Sequence, residues 1–129
     1  MDKLSRTHTI KADTAHSELY FAIGGFWTRE TMDGFLKELT GAARPFFKAG
    51  EPFNALGDLS AFLPQDRETA DAIRQSLMLG RQNGLKRFAV VSTSPLVRMQ
   101  YRRLTDGLDV AFFDDVEGAR NWLRRSLAA

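Results

Sequence analysis

The chain contains no cysteine and only two histidines among its 129 residues. The lack of cysteine excludes disulfide bonds and thiolate metal sites, and it is compatible with a reducing compartment. No apolar run approaches the length of a membrane-spanning helix. Residues 1–6 lead into no apolar stretch, so we expect no secretory signal and a cytoplasmic location.

The chain also lacks a strong excess of charge of either sign. It has 18 basic residues against 16 acidic residues, which gives a formal net charge of +2. A mixed field of this kind is not typical of a dedicated nucleic-acid-binding domain, so we expect no nucleic-acid partner. The composition, with 43% hydrophobic and 26% charged residues, is that of an ordinary globular chain. The length suits a single domain over residues 1–129.

The pattern of apolar residues predicts five strands and four helices in the order β-β-α-β-α-β-α-β-α. Short apolar runs bounded by turn residues predict strands over residues 8–12, 19–23, 53–59, 88–91 and 110–113. Stripes of apolar residues at helical spacing follow the second strand and each later strand. This alternation favours an α/β fold in which helices pack on one mixed five-stranded sheet.

Residues that favour the first turn of a helix mark where the four helices should begin. Thr28, Asp66 and Ser94 each stand just before an apolar stripe and are predicted to be N-caps. Asp114 is the corresponding residue of the last helix, with Glu117 at capping-box spacing from it.

Three passages together resemble a known family. They are Asp58-Leu59-Ser60 at the end of a strand, a basic lead-in to a central strand over residues 86–91, and residues 110–123. The last passage is a strand that ends in phenylalanine, then an acidic turn, then Glu-x-Ala-x-x-Trp-Leu. The chain resembles the STAS-like proteins, which include the sporulation anti-sigma factor antagonists and small bacterial relatives of unknown role. The resemblance implies the same fold and a role in binding a protein partner.

The resemblance also allows one functional position to be compared, the phosphorylated serine of the antagonists. In the antagonists a partner kinase phosphorylates a serine in the motif Asp-Leu-Ser, a short loop, then Asp-Ser-Ser-Gly. Here Asp58 and Ser60 match the first part, and Asp66 matches the second aspartate. Arg67-Glu68-Thr69 then replaces Ser-Ser-Gly, so Glu68 occupies the phosphorylated position. Glu68 either supplies a permanent charge or is an ordinary first-turn glutamate, which is the favoured interpretation.

The candidate binding residues surround the end of the third strand and the starts of two helices. They are Asp58, Ser60, Phe62, Leu63, Asp66, Glu68, Thr69 and Ser94. Residues 62–64 are expected to form an apolar loop on which a partner, a second copy of the chain or a lipid docks. Ser60 and Thr69 are possible modification sites. Ser94 opens a helix whose free amides could hold an anion, although an ordinary N-cap is the favoured interpretation.

No catalytic residues are predicted. His8 and His16 do not stand beside a nucleophile in any recognisable signature. His16 with Asp13 and Glu18 could bind a metal, but three polar residues in a hairpin turn are usually just solvated. We therefore expect no metal site and no cofactor.

Three functions remain open. The first is a non-catalytic binding or regulatory module that lacks the phosphorylatable serine and has a protein partner, with a homodimer as a further option. The second is a carrier of a lipid or small apolar ligand, which a closed apolar cavity would favour. The third is an enzyme, which would need a deep polar pocket joining Asp58, Asp66 and Ser94.

Overall fold

The computed structural model describes the backbone of residues 5–128 and the side chains of residues 5–125. The expectation that residues 1–6 carry no secretory signal falls mainly on residues outside this range. The nine elements of the described part occur in the predicted order. They are β1 (Thr7–Asp13), β2 (Glu18–Gly24), α1 (Arg29–Ala49), β3 (Phe53–Asp58), α2 (Arg67–Gln82), β4 (Leu85–Val91), α3 (Pro95–Leu104), β5 (Asp109–Phe113) and α4 (Val116–Ala128).

The five strands form one mixed sheet in the order β1-β2-β3-β4-β5. β1 is antiparallel to β2, with Ile10 opposite Phe21, and every later neighbour is parallel. Each parallel pair is joined through a helix, as the connection between parallel strands requires. Because the strands follow one another in a single direction, crossovers of one hand place α1, α2 and α3 on the same face of the sheet. The predicted α/β fold is confirmed.

The larger core lies between the sheet and helices α1 to α3. Phe21 and Phe88 of the sheet pack together with ring centroids 6.0 Å apart. Phe35 of α1 contacts Phe21 at 5.9 Å, and Tyr101 of α3 contacts Phe88 at 6.4 Å. Burial raises the pKa of the Tyr101 phenol because the ionised form would be desolvated. Many of the chain's phenylalanines are thus used as core residues.

The opposite face of the sheet is covered by α4 alone among the described helices. Leu56, Ala89 and Val91 pack there against Ala119 and Leu123, and all five are buried. These central strands are therefore apolar on both faces, as expected for parallel strands between two helical layers.

The helix starts follow the predicted caps with one exception. The side chains of Thr28, Asp66 and Ser94 each accept a hydrogen bond from a backbone N–H in the first turn of their helix. The predicted cap at Asp114 is wrong. Asp115 is the capping residue, and its Oδ1 accepts from the backbone N–H of Gly118 at 2.8 Å.

Within the described residues, no helix combines the length and the apolar character that crossing a membrane requires.

Candidate binding site at the carboxyl edge of the sheet

The carboxyl ends of β2 to β5 meet at one edge of the sheet because these strands are parallel. The loops that follow them are joined by backbone hydrogen bonds. Gly25 donates to the carbonyl of Ala61 at 2.9 Å, and Ser92 donates to the carbonyl of Phe113 at 3.0 Å. The eight predicted binding residues lie at the end of β3, in the loop after it and at the starts of α2 and α3, which all belong to this edge. Ligands of open α/β sheets commonly bind at this edge.

Asp58 and Ser60 form a tight polar turn at the end of β3. Asp58 Oδ1 accepts from the backbone N–H of Ser60 at 3.1 Å and from its hydroxyl at 2.5 Å. Asp58 is half-buried, whereas Ser60 is exposed. The carboxylate therefore orders the loop locally, and Ser60 remains accessible to a partner.

The apolar loop predicted over residues 62–64 is not an exposed patch. Phe62 is only 3% exposed, and its ring meets that of Tyr101 edge-on with centroids 6.2 Å apart. Leu63 is half-buried, and only Pro64 of the three is exposed. The interpretation of Phe62 as a docking side chain is wrong, because Phe62 anchors the loop to the core.

A buried glutamine, which the sequence reasoning missed, holds this loop against the start of α1. Gln65 is 7% exposed, and its Oε1 accepts from the backbone N–H of Trp27 at 2.8 Å. Its Nε2 donates to the carbonyls of Gly25 at 3.1 Å and Leu63 at 2.5 Å. Its backbone is bonded in both directions by the amide of Gln100. A single glutamine in a loop carries no sequence signal that could have revealed this role.

The start of α2 has one buried and two exposed candidate residues. Asp66 accepts from the backbone N–H of Thr69 at 2.9 Å, and hydrogen bonds from Thr69 lower the pKa of the Asp66 carboxyl. Thr69 itself is fully buried, so its interpretation as a modification site is wrong in the folded state. Glu68 is exposed in the first helical turn, and its backbone carbonyl accepts from Arg29 Nη1 at 3.3 Å.

The start of α3 uses its polar groups internally. Ser94 Oγ accepts from the backbone N–H of Val97 at 3.3 Å, so Ser94 is an ordinary N-cap. Arg98 donates to the carbonyl of Ser92 at 2.5 Å and pairs with Asp114 at 2.7 Å. The positive charge of Arg98 at this helix start is therefore already paired.

The three residues that a catalytic site would have to combine each serve a local purpose. Asp58 orders the turn at Ser60, Asp66 caps α2, and Ser94 caps α3. The histidines lie on other elements, with His8 Nε2 3.2 Å from Glu38 and His16 Nδ1 2.8 Å from Asp13. The described hydrogen bonds therefore assemble no nucleophile with an oriented base.

Among the described residues, the large apolar side chains exposed at this edge are Phe26, which follows β2 and is 41% exposed, and two residues of α3. Leu96 is 62% exposed and Met99 is 49% exposed, and their spacing places them on one helix face. Arg102 and Arg103 follow on the same helix and are also exposed. The Arg102 guanidinium lies 5.2 Å from the ring centroid of Phe112. The sequence shows the helical periodicity of this segment. It does not show which face of the helix is left exposed by the packing of the other elements.

Comparison with known proteins identifies the fold. No family model matches the chain, and no curated protein is similar to it in sequence. An uncharacterised protein of the DUF3478 family with a SpoIIAA-like fold from Shewanella loihica PV-4 matches with a TM-score of 0.70 at 21% identity, over 95% of this chain and 98% of that one. An anti-sigma factor antagonist from Mycobacterium paratuberculosis matches with a TM-score of 0.65 at 16% identity, over 93% and 95%.

These similarities define the class of fold. The chain has the five-stranded α/β fold of the SpoIIAA-like, or STAS, proteins, as its sequence motifs had indicated.

Proposed function

We propose that the chain is a non-catalytic binding module that acts through protein–protein interaction. The observation that carries this proposal is the exposed pair Leu96 and Met99 on α3. Two large apolar side chains are exposed to water on one helix face. A partner that covers them removes this apolar surface from water, which is favourable for binding. The local roles of Asp58 in a turn and of Asp66 and Ser94 as helix caps support a binding function over a catalytic one.

The partner surface that fits this face is apolar at its centre and acidic at its border. Arg102 and Arg103 continue the face beyond Met99, so a partner that covers Leu96 also meets two positive charges. Acidic side chains on the partner would gain favourable electrostatic interaction there. Ser60 and Glu68 are exposed at the same edge of the sheet and form the proposed rim of the site.

A regulatory role follows as part of the same proposal. The solved structure with the same fold is named as an antagonist of an anti-sigma factor, which supports a regulatory role here. Glu68 occupies the position that corresponds to the phosphorylated serine of the antagonists. This chain would therefore bind its partner without control by phosphorylation at that position. The single domain, the cytoplasmic location and a homodimer stay predictions.

The test is site-specific photo-crosslinking in the native host. A photoreactive residue at position 96 or 99 should capture one protein, whereas the same residue at position 79 should not. Leu79 is a matched control because it is also an exposed leucine on a helix, at 42%. The captured protein is then purified for affinity measurements.

Affinity decides whether the captured protein is a true partner. We expect Met99→Asp to weaken binding by about tenfold or more, because a charge would be buried in the interface. Leu79→Ser should leave the affinity unchanged. Salt should weaken binding by screening the arginines. Equal affinity for the Met99→Asp variant would contradict the proposal.

An apolar cavity favours a second candidate function, the carriage of a small apolar ligand. The cavity has a volume of about 70 Å³ between α1, α2 and the sheet. Its lining includes Phe21, Phe35, Leu39, Ile73, Phe88 and Tyr101. This volume is below the roughly 150 Å³ of a cavity that binds benzene, so a lipid chain would require the core to open. Native mass spectrometry of the purified protein tests this function, and a copurifying apolar molecule would support it.

A further inference from the structure

The hairpin between β1 and β2 holds a polar cluster at the opposite edge of the sheet from the proposed binding face. One ligand atom from each of Asp13, His16 and Glu18 lies within 4.8 Å of the other two. Asp13 and Glu18 are directly opposite each other in the antiparallel pair, so their side chains leave the same face of the sheet. The turn between them places His16 beside Asp13, with Nδ1 2.8 Å from Oδ2.

Glu18 is the unusual member of this cluster because its side chain is fully buried. Its Oε1 accepts from the hydroxyl of Tyr20 and lies 3.4 Å from Arg124 Nη2. Its Oε2 has no hydrogen-bond partner among the described residues. A buried carboxylate oxygen without a partner is costly, and an ion or water that is not part of the chain is a common explanation.

We propose that Asp13, His16 and Glu18 bind a divalent cation of the zinc type, with Glu18 contributing its free oxygen. One imidazole nitrogen and two carboxylate oxygens suit Zn²⁺, whereas Ca²⁺ and Mg²⁺ prefer oxygen ligands alone. Ligand atoms of a tetrahedral zinc site lie ~3.3 Å apart, so atoms that lie up to 4.8 Å apart would have to approach one another by as much as about 1.5 Å. Water would complete the coordination.

The cluster borders an open cleft, and the charges around it are of both signs. His16 and Glu18 line one open cleft together with Glu51, Lys86 and Arg124. Glu51 adds negative charge to that of Asp13 and Glu18, whereas Lys86 and Arg124 oppose a cation. The Arg124 bond is made to the other carboxylate oxygen, so it leaves Oε2 available as a ligand.

The burial of Glu18 is what changes the interpretation of this turn. Three polar residues in a hairpin are ordinarily solvated, and the sequence therefore favoured no metal. A solvated turn does not account for a carboxylate that is removed from water and lacks a partner on one oxygen. The competing account is an ordered water shared with Asn54, whose Nδ2 also lacks a partner among the described residues. That account predicts no metal affinity.

The test titrates the full, tag-free chain with Zn²⁺ by calorimetry and with Co²⁺ by visible absorption. We expect one ion per chain, together with a shift of the His16 imidazole nitrogen resonances and no shift of those of His8. His16→Ala and Glu18→Gln should each weaken binding at least tenfold. His8→Ala is the matched control and should bind as the wild type does.

A second readout covers the case in which Glu18→Gln fails to fold. His16 is half-exposed in a turn, so His16→Ala should fold as the wild type does. Zn²⁺ should raise the melting temperature of the wild type and leave that of His16→Ala unchanged. Absence of binding up to millimolar Zn²⁺, or equal binding by His16→Ala, would overturn the proposal.

Discussion

Phe62 and Gln65 occupy the same loop and stabilise it in different ways. The Phe62 ring is buried against Tyr101, so it links the loop to the main core. Gln65 instead forms hydrogen bonds with the backbone N–H of Trp27 and with the carbonyls of Gly25 and Leu63. Together they hold the exposed residues Ser60 and Glu68 in place at the carboxyl edge.

Replacement of Phe62 tests whether the loop is anchored by this ring. We expect Phe62→Ala to lower the free energy of unfolding by about 3–5 kcal/mol, because a large buried side chain is lost and a cavity remains. Leu63→Ala is the neighbouring control and should cost less, since Leu63 is half-buried. Urea unfolding followed by tryptophan fluorescence measures both. Equal losses would argue against the buried position of Phe62.

Replacement of Gln65 tests the polar part of the anchor. Gln65→Ala should lower the free energy of unfolding by about 1–3 kcal/mol, because the buried backbone N–H of Trp27 loses its acceptor. The amide of Trp27 should also exchange with solvent faster. Gln75→Ala, at an exposed position of α2, is the control and should have little effect. Unchanged protection of the Trp27 amide would contradict the assigned hydrogen bond.

At the scale of the elements, the caps decide where the helices begin. Ser94 combines with Pro95 at the start of α3, and Asp66 precedes α2, so both starts were predictable from residue type. The start of α4 offered two consecutive aspartates. Asp115 caps the helix, whereas Asp114 is directed to Arg98 of α3. The choice depended on a contact between elements that are distant in sequence.

The two aspartates make a matched pair for a stability measurement. Asp115→Ala should lower the free energy of unfolding by about 1 kcal/mol through loss of the N-cap. Asp114→Ala should change it by less than about 0.5 kcal/mol, because its side chain is 81% exposed and its ion pair is weak. Chemical denaturation of both variants measures the difference. A larger loss for Asp114→Ala would assign the cap to that residue instead.

At the scale of the whole molecule, the two faces of the sheet are unequal. Three helices cover one face over an extended aromatic core, whereas α4 covers the other over a cluster of five buried residues. Arg124 adds a link from α4 to the buried Glu18. Fewer residues are buried under α4 than under the three helices of the other face. We therefore expect α4 to separate from the sheet at a lower free energy than they do.

Native-state hydrogen exchange should reveal this difference. We expect the amides of β3 and β4 to exchange slowest, because these strands are paired on both sides and covered on both faces. The amides of α4 should exchange through a local opening at a lower free energy than those of α1. Exchange of α4 only through global unfolding would contradict the expected order.

The sequence by itself determined the element order, three of the four helix starts and the class of fold. These features depend on local periodicity and on capping chemistry, which act between residues close in the chain. It also placed Asp58, Ser60, Asp66 and Ser94 at one edge of the sheet, since strand ends in a parallel sheet share that edge.

Tertiary structure alone decided that Phe62 and Thr69 are buried, that Gln65 anchors the loop, and that Glu18 is removed from water. Burial is a property of packing between distant segments, so no local pattern could report it.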